Sequence, residues 1–356
     1  MNRELLISII VPAYNAETVL PRCLKSLLDQ TYQNLQILVV NDGSSDDTLR
    51  VAQEWAAKDA RINALSNPGN IGASATRNRA LRLVEGSYVM FVDSDDFIEP
   101  WLVEEAVRRL SERPADSLVF GFTEDYFDEH GQYVYSEKIE FPEYRRFEKD
   151  EMRRYVIELE KMTMYGYTCD KLFRIAKIRE ENIQYPSLPL AEDFFFNVDY
   201  FQNAESMILI PGAPYHYQKK LNNSLTNQFV AEYYPLHVRR VLTLWQQHEA
   251  WGILTPEVQR DLANIYARYL VSALQRNCDA RANMTRRDRR AFLQEVYASE
   301  PFQRLMPHAH SDSRALRLFI RQFRRKNLSL TLFLGHLVYL VRQKAPILFG
   351  KMKKNR

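Results

Sequence analysis

Asp42, in the run Asn-Asp-Gly-Ser-Ser-Asp-Asp, and the cluster Asp93-Ser-Asp95-Asp96 each follow directly on an apolar run. The runs, residues 35–40 and 88–92, are short, β-branched or aromatic, and closed by turn residues, which is the pattern of buried strands. Both clusters then sit at the carboxyl ends of strands, where open α/β sheets bind ligands. Carboxylates crowded this closely repel one another unless a cation sits among them. Asp-x-Asp at a strand end suits a hard divalent ion that also holds a diphosphate, because Mg²⁺ and Mn²⁺ take oxygen ligands. The chemistry implied is a nucleotide-diphosphate site.

The elements that must position these acids alternate strand and helix through about residue 125. Residues 5–11 read as a strand, and Asn15 as the cap of a helix to about Asp29. Strand 35–40 is followed by a helix capped by Ser45 or Asp46, then strand 62–65. The turn Asn67-Pro68-Gly69-Asn70 leads to a helix over 71–84, strand 88–92, a helix from Pro100 to about Leu110 and a strand over 117–122. Repeated βα order implies an α/β fold with a mostly parallel sheet covered on both faces. Regularity weakens over 123–147. A helix is expected over 148–164, irregular chain at 166–174 and 185–190, a helix over 192–201 and a strand over 207–210. From about Glu232 the periodicity is helical, so the expected domains are 1–228 and a C-terminal helical region, 229–356.

Length and composition fit a large core plus an appendage: 356 residues, 46% hydrophobic and 26% charged. Cys23, Cys169 and Cys278 are far apart and odd in number, which suits a reducing compartment rather than a disulfide framework. The start runs straight into a strand-like segment and leaves no room for a signal peptide. No apolar stretch reaches the roughly 18 residues of a spanning helix. The net charge of +3 conceals an asymmetry. No acid follows Asp312, whereas twelve Lys and Arg lie between Arg314 and Arg356, so the rest of the chain is acidic. The tail therefore points to an anionic surface.

Dinucleotide binding of the Rossmann type would need Gly-x-Gly-x-x-Gly after the first strand. Pro12-Ala13-Tyr14-Asn15 stands there instead, and no Walker loop occurs. Residues 10–15 (Ile-Val-Pro-Ala-Tyr-Asn), 41–48 (Asn-Asp-Gly-Ser-Ser-Asp-Asp-Thr), Asn70-Ile71-Gly72 with Ala75-Thr76-Arg77-Asn78, and Phe91-Val92-Asp93-Ser94-Asp95-Asp96 occur in an order that resembles family-2 glycosyltransferases of the GT-A fold, of the bacterial surface-polysaccharide type. The resemblance covers roughly residues 5–225. It implies a mixed, mostly parallel sheet flanked by helices, with a C-terminal helical appendage, and a nucleotide-sugar donor.

The same resemblance implies roles. Pro12, Ala13, Tyr14 and Glu17 line the nucleoside pocket, and Asp42 pairs with the uracil edge. Gly72 and Arg77 lie beside the nucleotide and diphosphate. Asp93 and Asp95, a DxD motif, hold the divalent cation, Mn²⁺ or Mg²⁺, with Asp93 and Ser94 also on the donor. His216, in Tyr215-His216-Tyr217-Gln218, is a further candidate metal ligand, and Ser224-Leu225-Thr226 completes that closing segment. Lys219 and Lys220 are candidate phosphate contacts. Ala191-Glu192-Asp193 resembles the family's acidic pair, usually preceded by glycine. Inverting transfer needs a carboxylate opposite the leaving diphosphate to accept the hydroxyl proton, which assigns Asp193 as base and Glu192 as support. Asp170-Lys171-Leu172-Phe173-Arg174 reads mainly as scaffold, with acceptor contact as the alternative. Singly, these residues have plainer readings: Asn41-Asp42-Gly43 is a turn, Asp46 a helix cap, Asp96 solvated, and Glu192 and Asp193 acids favoured by a helix dipole.

Processive polysaccharide synthases carry Gln-x-x-Arg-Trp and several membrane spans, and neither occurs here, so one sugar per encounter is expected. The implied function is metal-dependent, inverting transfer from a UDP-sugar to a glycan acceptor, lipid-linked, at the cytoplasmic membrane face. A nucleotidyltransferase and a non-catalytic sugar-nucleotide- or glycan-binding subunit are the alternatives. Nucleic acid is not expected as a partner. The basic stretch Arg314–Lys326, the apolar stretch Leu328–Val341 and Lys351-Met352-Lys353-Lys354 read as an amphipathic, peripheral membrane anchor, or as a helix packed on its own protein.

Overall fold

The computed structural model describes residues 4–220, 230 and 232–344. Ser224-Leu225-Thr226, the Lys220 side chain and Lys351–Lys354 lie outside the described residues. The chain divides into two compact units, Met1–Asn227 and Gln228–Arg356.

In the first unit β1 (Ile7–Ala13) and β2 (Leu35–Asn41) are buried almost throughout, as continuous apolar runs require when helices cover both faces of a sheet. With β3 (Ile62–Ser66) and β4 (Tyr88–Phe91) they form a parallel block in the order β3-β2-β1-β4. α1 (Leu20–Leu28) buries Leu20, Cys23, Leu24 and Leu27, one face at helical spacing. It begins four residues later than expected. Asn15 is left-handed (φ 49°), and its side chain accepts the Ser45 N–H at 2.9 Å, so it ties two loops together instead of capping a helix. α2 (Thr48–Ala56), α3 (Ala73–Leu81) and α4 (Leu102–Glu112) complete the block.

The other half departs from the expected irregular chain. β6 (Ser117–Val119), β9 (Arg145–Glu148), β10 (Lys171–Arg174) and β11 (Ser206–Leu209) extend the sheet to β3-β2-β1-β4-β10-β6-β11-β9, with β10 antiparallel to both neighbours. A second sheet, β5-β12-β7-β8, is built from β5 (Phe97–Ile98), β7 (Phe122–Phe127), β8 (Tyr133–Ile139) and β12 (Tyr215–Lys220). The expected single strand 117–122 is two strands on different sheets, parted at Phe120-Gly121. α5 (Lys149–Lys161), α6 (Ile175–Glu180) and α7 (Glu192–Gln202) lie between these strands in sequence.

The second unit contains α8 (Tyr233–Ala250), α9 (Pro256–Arg276), α10 (Arg286–Ala298), α11 (Glu300–Leu305), α12 (Arg314–Arg324) and α13 (Leu328–Lys344). Thr255 caps α9, and Thr285 with Asp288 forms a capping box on α10. The apolar side of α12, Leu316, Phe319, Ile320 and Phe323, is buried. α12 and α13 both pack on α9. A Cβ added at Gly335 would come within 2.9 Å of Leu274 Cβ, so glycine is what lets α13 approach α9 this closely. No described helix is long and apolar enough to cross a membrane.

Candidate active site

The carboxyl ends of β1, β2 and β4 gather the first group of expected residues. Pro12 and Ala13 end β1, and the Ala13 carbonyl accepts the Asp42 N–H at 2.8 Å. Tyr14 is 50% exposed, leaving a ring free to meet a base or sugar. Glu17 is more constrained than expected: its Oε2 accepts the Asp47 N–H at 2.9 Å, and its own N–H donates to Asp46 at 3.1 Å. It braces the loop that would line a nucleoside pocket. Asp42 is buried, and its carboxylate accepts from Asn67 Nδ2 (2.8 Å), Ile71 N (3.0 Å) and Gly72 N (2.9 Å). Burial would raise its pKa, but these hydrogen bonds together outweigh burial and hold it below the ordinary carboxylate range. The acid expected to read a base thus first shapes the turn before α3. Gly72, at φ +86°, lets that turn present its N–H to Asp42.

The three acids after β4 differ sharply. Asp95 is exposed, Ser94 half-buried, and the Asp93 side chain 34% exposed. Asp96 is buried, not solvated. It accepts from the Tyr215 hydroxyl at 2.6 Å and the Gln218 N–H at 2.8 Å, while Tyr215 accepts the Asp93 N–H at 3.2 Å. Burial, with Asp95 and Asp93 nearby, pushes the Asp96 pKa well up. Arg22 holds the turn from the other side through the Asp95 carbonyl at 2.6 Å.

His216 lies on β12 between two carboxylates. Alternation along β12 turns Tyr215 toward Asp96 and His216 to the opposite face. There Nδ1 lies 2.9 Å from Asp125 and Nε2 3.0 Å from Glu99, with the ring stacked on Phe97 at 4.2 Å. Both nitrogens are engaged by carboxylates, and a metal-ligand role would require one of them to give up its partner. Lys219 likewise pairs with Glu124 between the rings of Tyr126 and Tyr217 instead of reaching out for phosphate.

Arg77, only 6% exposed, joins the two acidic groups of the site. Its Nη2 donates to Asp93 Oδ1 at 2.8 Å, and its Nη1 lies 3.5 Å from Glu192 and 3.6 Å from Asp193. The guanidinium sits 5.3 Å from the Tyr185 ring centre. Burial opposes the charge, but Asp193, Asp93 and Glu192 more than compensate, and its pKa is pushed further up. Asp193 is raised to about 7, chiefly by burial, with Glu192 and Asp93 adding and Arg77 pulling the other way. Its Oδ1 is buried without a hydrogen-bond partner. An acid so placed can take or give a proton near neutrality. Ala191, just before, is left-handed (φ 67°), a conformation that favours glycine and explains why glycine is usual at this point of the motif.

Asp170 and Lys171 are fully buried scaffold: Lys171 Nζ donates to Met164 O (2.8 Å), Tyr167 O (2.7 Å) and Asp170 (2.6 Å). Two participants gave no usable sequence signal. Tyr185 lies in irregular chain, and Arg22 projects from a helix read only for its apolar face. For a divalent cation, Asp93 and Asp95 offer hard oxygen donors one residue apart on an accessible turn. Such a pair fits Mg²⁺ or Mn²⁺ when diphosphate and water fill the other positions.

Residues 8–174 match the family described as Glycosyl transferase family 2. The putative glycosyltransferase EpsH of Bacillus subtilis (strain 168) is 29% identical over 220 residues, 61% of this chain and 62% of EpsH. The chain thus aligns with less than two thirds of that relative's length. The chondroitin synthase of Escherichia coli is 43% identical over 104 residues, 29% of this chain and 15% of the synthase. Among solved structures, S. aureus TarS 1-349 in complex with UDP-GlcNAc superposes with a TM-score of 0.62 at 22% identity, covering 92% of this chain and 90% of that one. This likeness extends the fold comparison beyond residue 174. Residues 8–174 thus match the family 2 glycosyltransferases, and the fold is the GT-A fold of TarS.

Proposed function

We propose that the protein transfers one sugar, with inversion, from a nucleotide-diphospho-sugar to a glycan acceptor in bacterial polysaccharide synthesis. The carrying observation is Arg77, which holds donor-side Asp93 and base-side Glu192 and Asp193 around one guanidinium. A UDP-sugar is the favoured donor, in keeping with the UDP-GlcNAc bound to TarS. The glycan acceptor is in keeping with the chondroitin synthase relative.

In this reading Tyr14, Pro12 and Ala13 meet the nucleoside beside the loop braced by Glu17, and Asp42 with Gly72 shapes the base-side turn. Asp93, Ser94 and Asp95 face the diphosphate. Asp93 and Asp95 would hold a divalent cation, which offsets charge building on the departing diphosphate. Asp193 accepts the proton of the acceptor hydroxyl as its oxygen bonds to the anomeric carbon and the bond from that carbon to the diphosphate oxygen breaks. Glu192 lies beside Arg77, which holds Asp193 in place from the donor side. The acceptor is lipid-linked in our reading, at the inner face of the cell membrane, with the basic C-terminal region toward anionic lipid.

The test is nucleotide release from UDP- and GDP-sugars by purified protein, with Mn²⁺ and with chelator. UDP release that requires the cation is expected. Pyrophosphate release from a nucleoside triphosphate would overturn the reading in favour of nucleotidyl transfer, and unchanged turnover in chelator would contradict the role of Asp93 and Asp95.

A further inference from the structure

Among the described residues, four of the ten exposed large apolar side chains fall within residues 318–337. Leu330, Phe333 and Leu337 recur at spacings of three and four on α13, 38%, 62% and 46% exposed. They therefore form one strip on a helix whose opposite side, at Thr331 and Gly335, is buried. On α12 the outward positions are Arg314, Arg317, Leu318, Arg321 and then Arg325. Both helices rest on α9, so their far faces are turned outward.

We propose that the outward faces of α12 and α13 are a docking surface for an anionic lipid bilayer. It deepens the membrane side of the proposed function by naming the surface, but it stands on these helices alone. Charge decides the occupant. No acidic residue occurs after Asp312, so two copies of this face would set arginine against arginine, whereas phospholipid headgroups supply the missing negative charge. The strip also has the right size. Leu330 to Leu337 covers about 10 Å of helix, too short to cross a bilayer and suited to lying in its interface. The apolar side of α12 is committed to the core of its own unit, so the contact is made by the folded unit and not by an unwound tail.

The test is co-sedimentation of the full chain with phosphatidylcholine vesicles and with vesicles of roughly one-third phosphatidylglycerol, at low and physiological salt. Arg317→Gln/Arg321→Gln/Arg325→Gln should weaken binding to the anionic vesicles about a hundredfold, roughly fivefold per charge, and flatten its salt dependence. Phe333→Glu/Leu337→Glu should weaken it at every salt concentration. Circular dichroism, and nucleotide-sugar turnover in the same preparations, should match the wild type. Turnover without vesicle binding would sink the surface and leave the catalytic reading standing; binding without turnover would do the reverse. Wild-type protein that ignores anionic vesicles at low salt overturns the proposal. So does equal binding by both variants, or a lipid-free dimer that Phe333→Glu dissociates, which would assign the face to a second copy.

Discussion

The two acidic ends of the site have the same kind of side chain and different degrees of burial. Asp95 stands exposed on a turn with Asp93, 34% exposed, beside it, while the Asp193 side chain, 21% exposed, sits against Arg77 with Oδ1 buried and making no hydrogen bond. An exposed carboxylate can share a cation with a phosphate. A desolvated one holds its proton to higher pH and is fit to exchange it. Burial, more than residue type, separates the proposed cation end from the proposed proton end.

The largest expected effect breaks that comparison at its buried end. Asp193→Asn keeps the shape but removes the basic oxygen, and should lower the transfer rate by about 10²–10⁴-fold with donor affinity retained. Steady-state kinetics with nucleotide-binding titrations checks this. Loss at Glu192→Gln with Asp193→Asn near normal would move the base to Glu192. At the exposed end, Asp95→Ala should weaken cation-dependent UDP binding by about 10–100-fold, within the span of losses seen when a metal site is impaired. Titration with and without Mn²⁺ reads it; equal UDP affinity in the variant would leave Asp95 without a role.

The environments also predict a pH dependence. Asp193 must be deprotonated to accept a proton, and its pKa is raised to about 7. The rate should therefore fall as pH drops below about 7 and level off above it. A profile flat from pH 5 to 8, a range set by the ordinary and raised carboxyl values, would show that no such group limits the rate.

The smallest effect concerns the backbone that presents the pair. Ala191 holds a left-handed conformation costing roughly 1 kcal/mol, partly offset in a glycine variant by its freer unfolded chain. Ala191→Gly should raise stability by about 0.5–1 kcal/mol, measured by urea denaturation. A loss of stability would mean that the alanine methyl makes a contact worth more than the strain.

The β1–β4 half was legible because its strands are continuous apolar runs and its acids fall at their ends. The expected strand over 35–40 is β2 to within one residue. The second sheet was hidden for physical reasons. β8 is an edge strand, Tyr-Val-Tyr-Ser-Glu-Lys-Ile, with little buried on either side, and β12 reads Tyr-His-Tyr-Gln-Lys-Lys, whose His216, Gln218 and Lys219 pair with Asp125 and Glu124. The partners of His216 were hidden for the same reason, since which face it takes depends on β12. Asp96 was misread because its buried partners, Tyr215 and the Gln218 backbone, lie about 120 residues away. Position along the chain identified the acids; only packing separated them.

The most direct test sets the two ends against each other in one titration of UDP, with Mn²⁺ present, into wild-type, Asp95→Ala and Asp193→Asn protein. The account predicts that Asp193→Asn binds UDP like the wild type while transferring sugar slowly, and that Asp95→Ala binds it weakly. Weak binding by Asp193→Asn together with full binding by Asp95→Ala would contradict the division of the site into a cation end and a proton end.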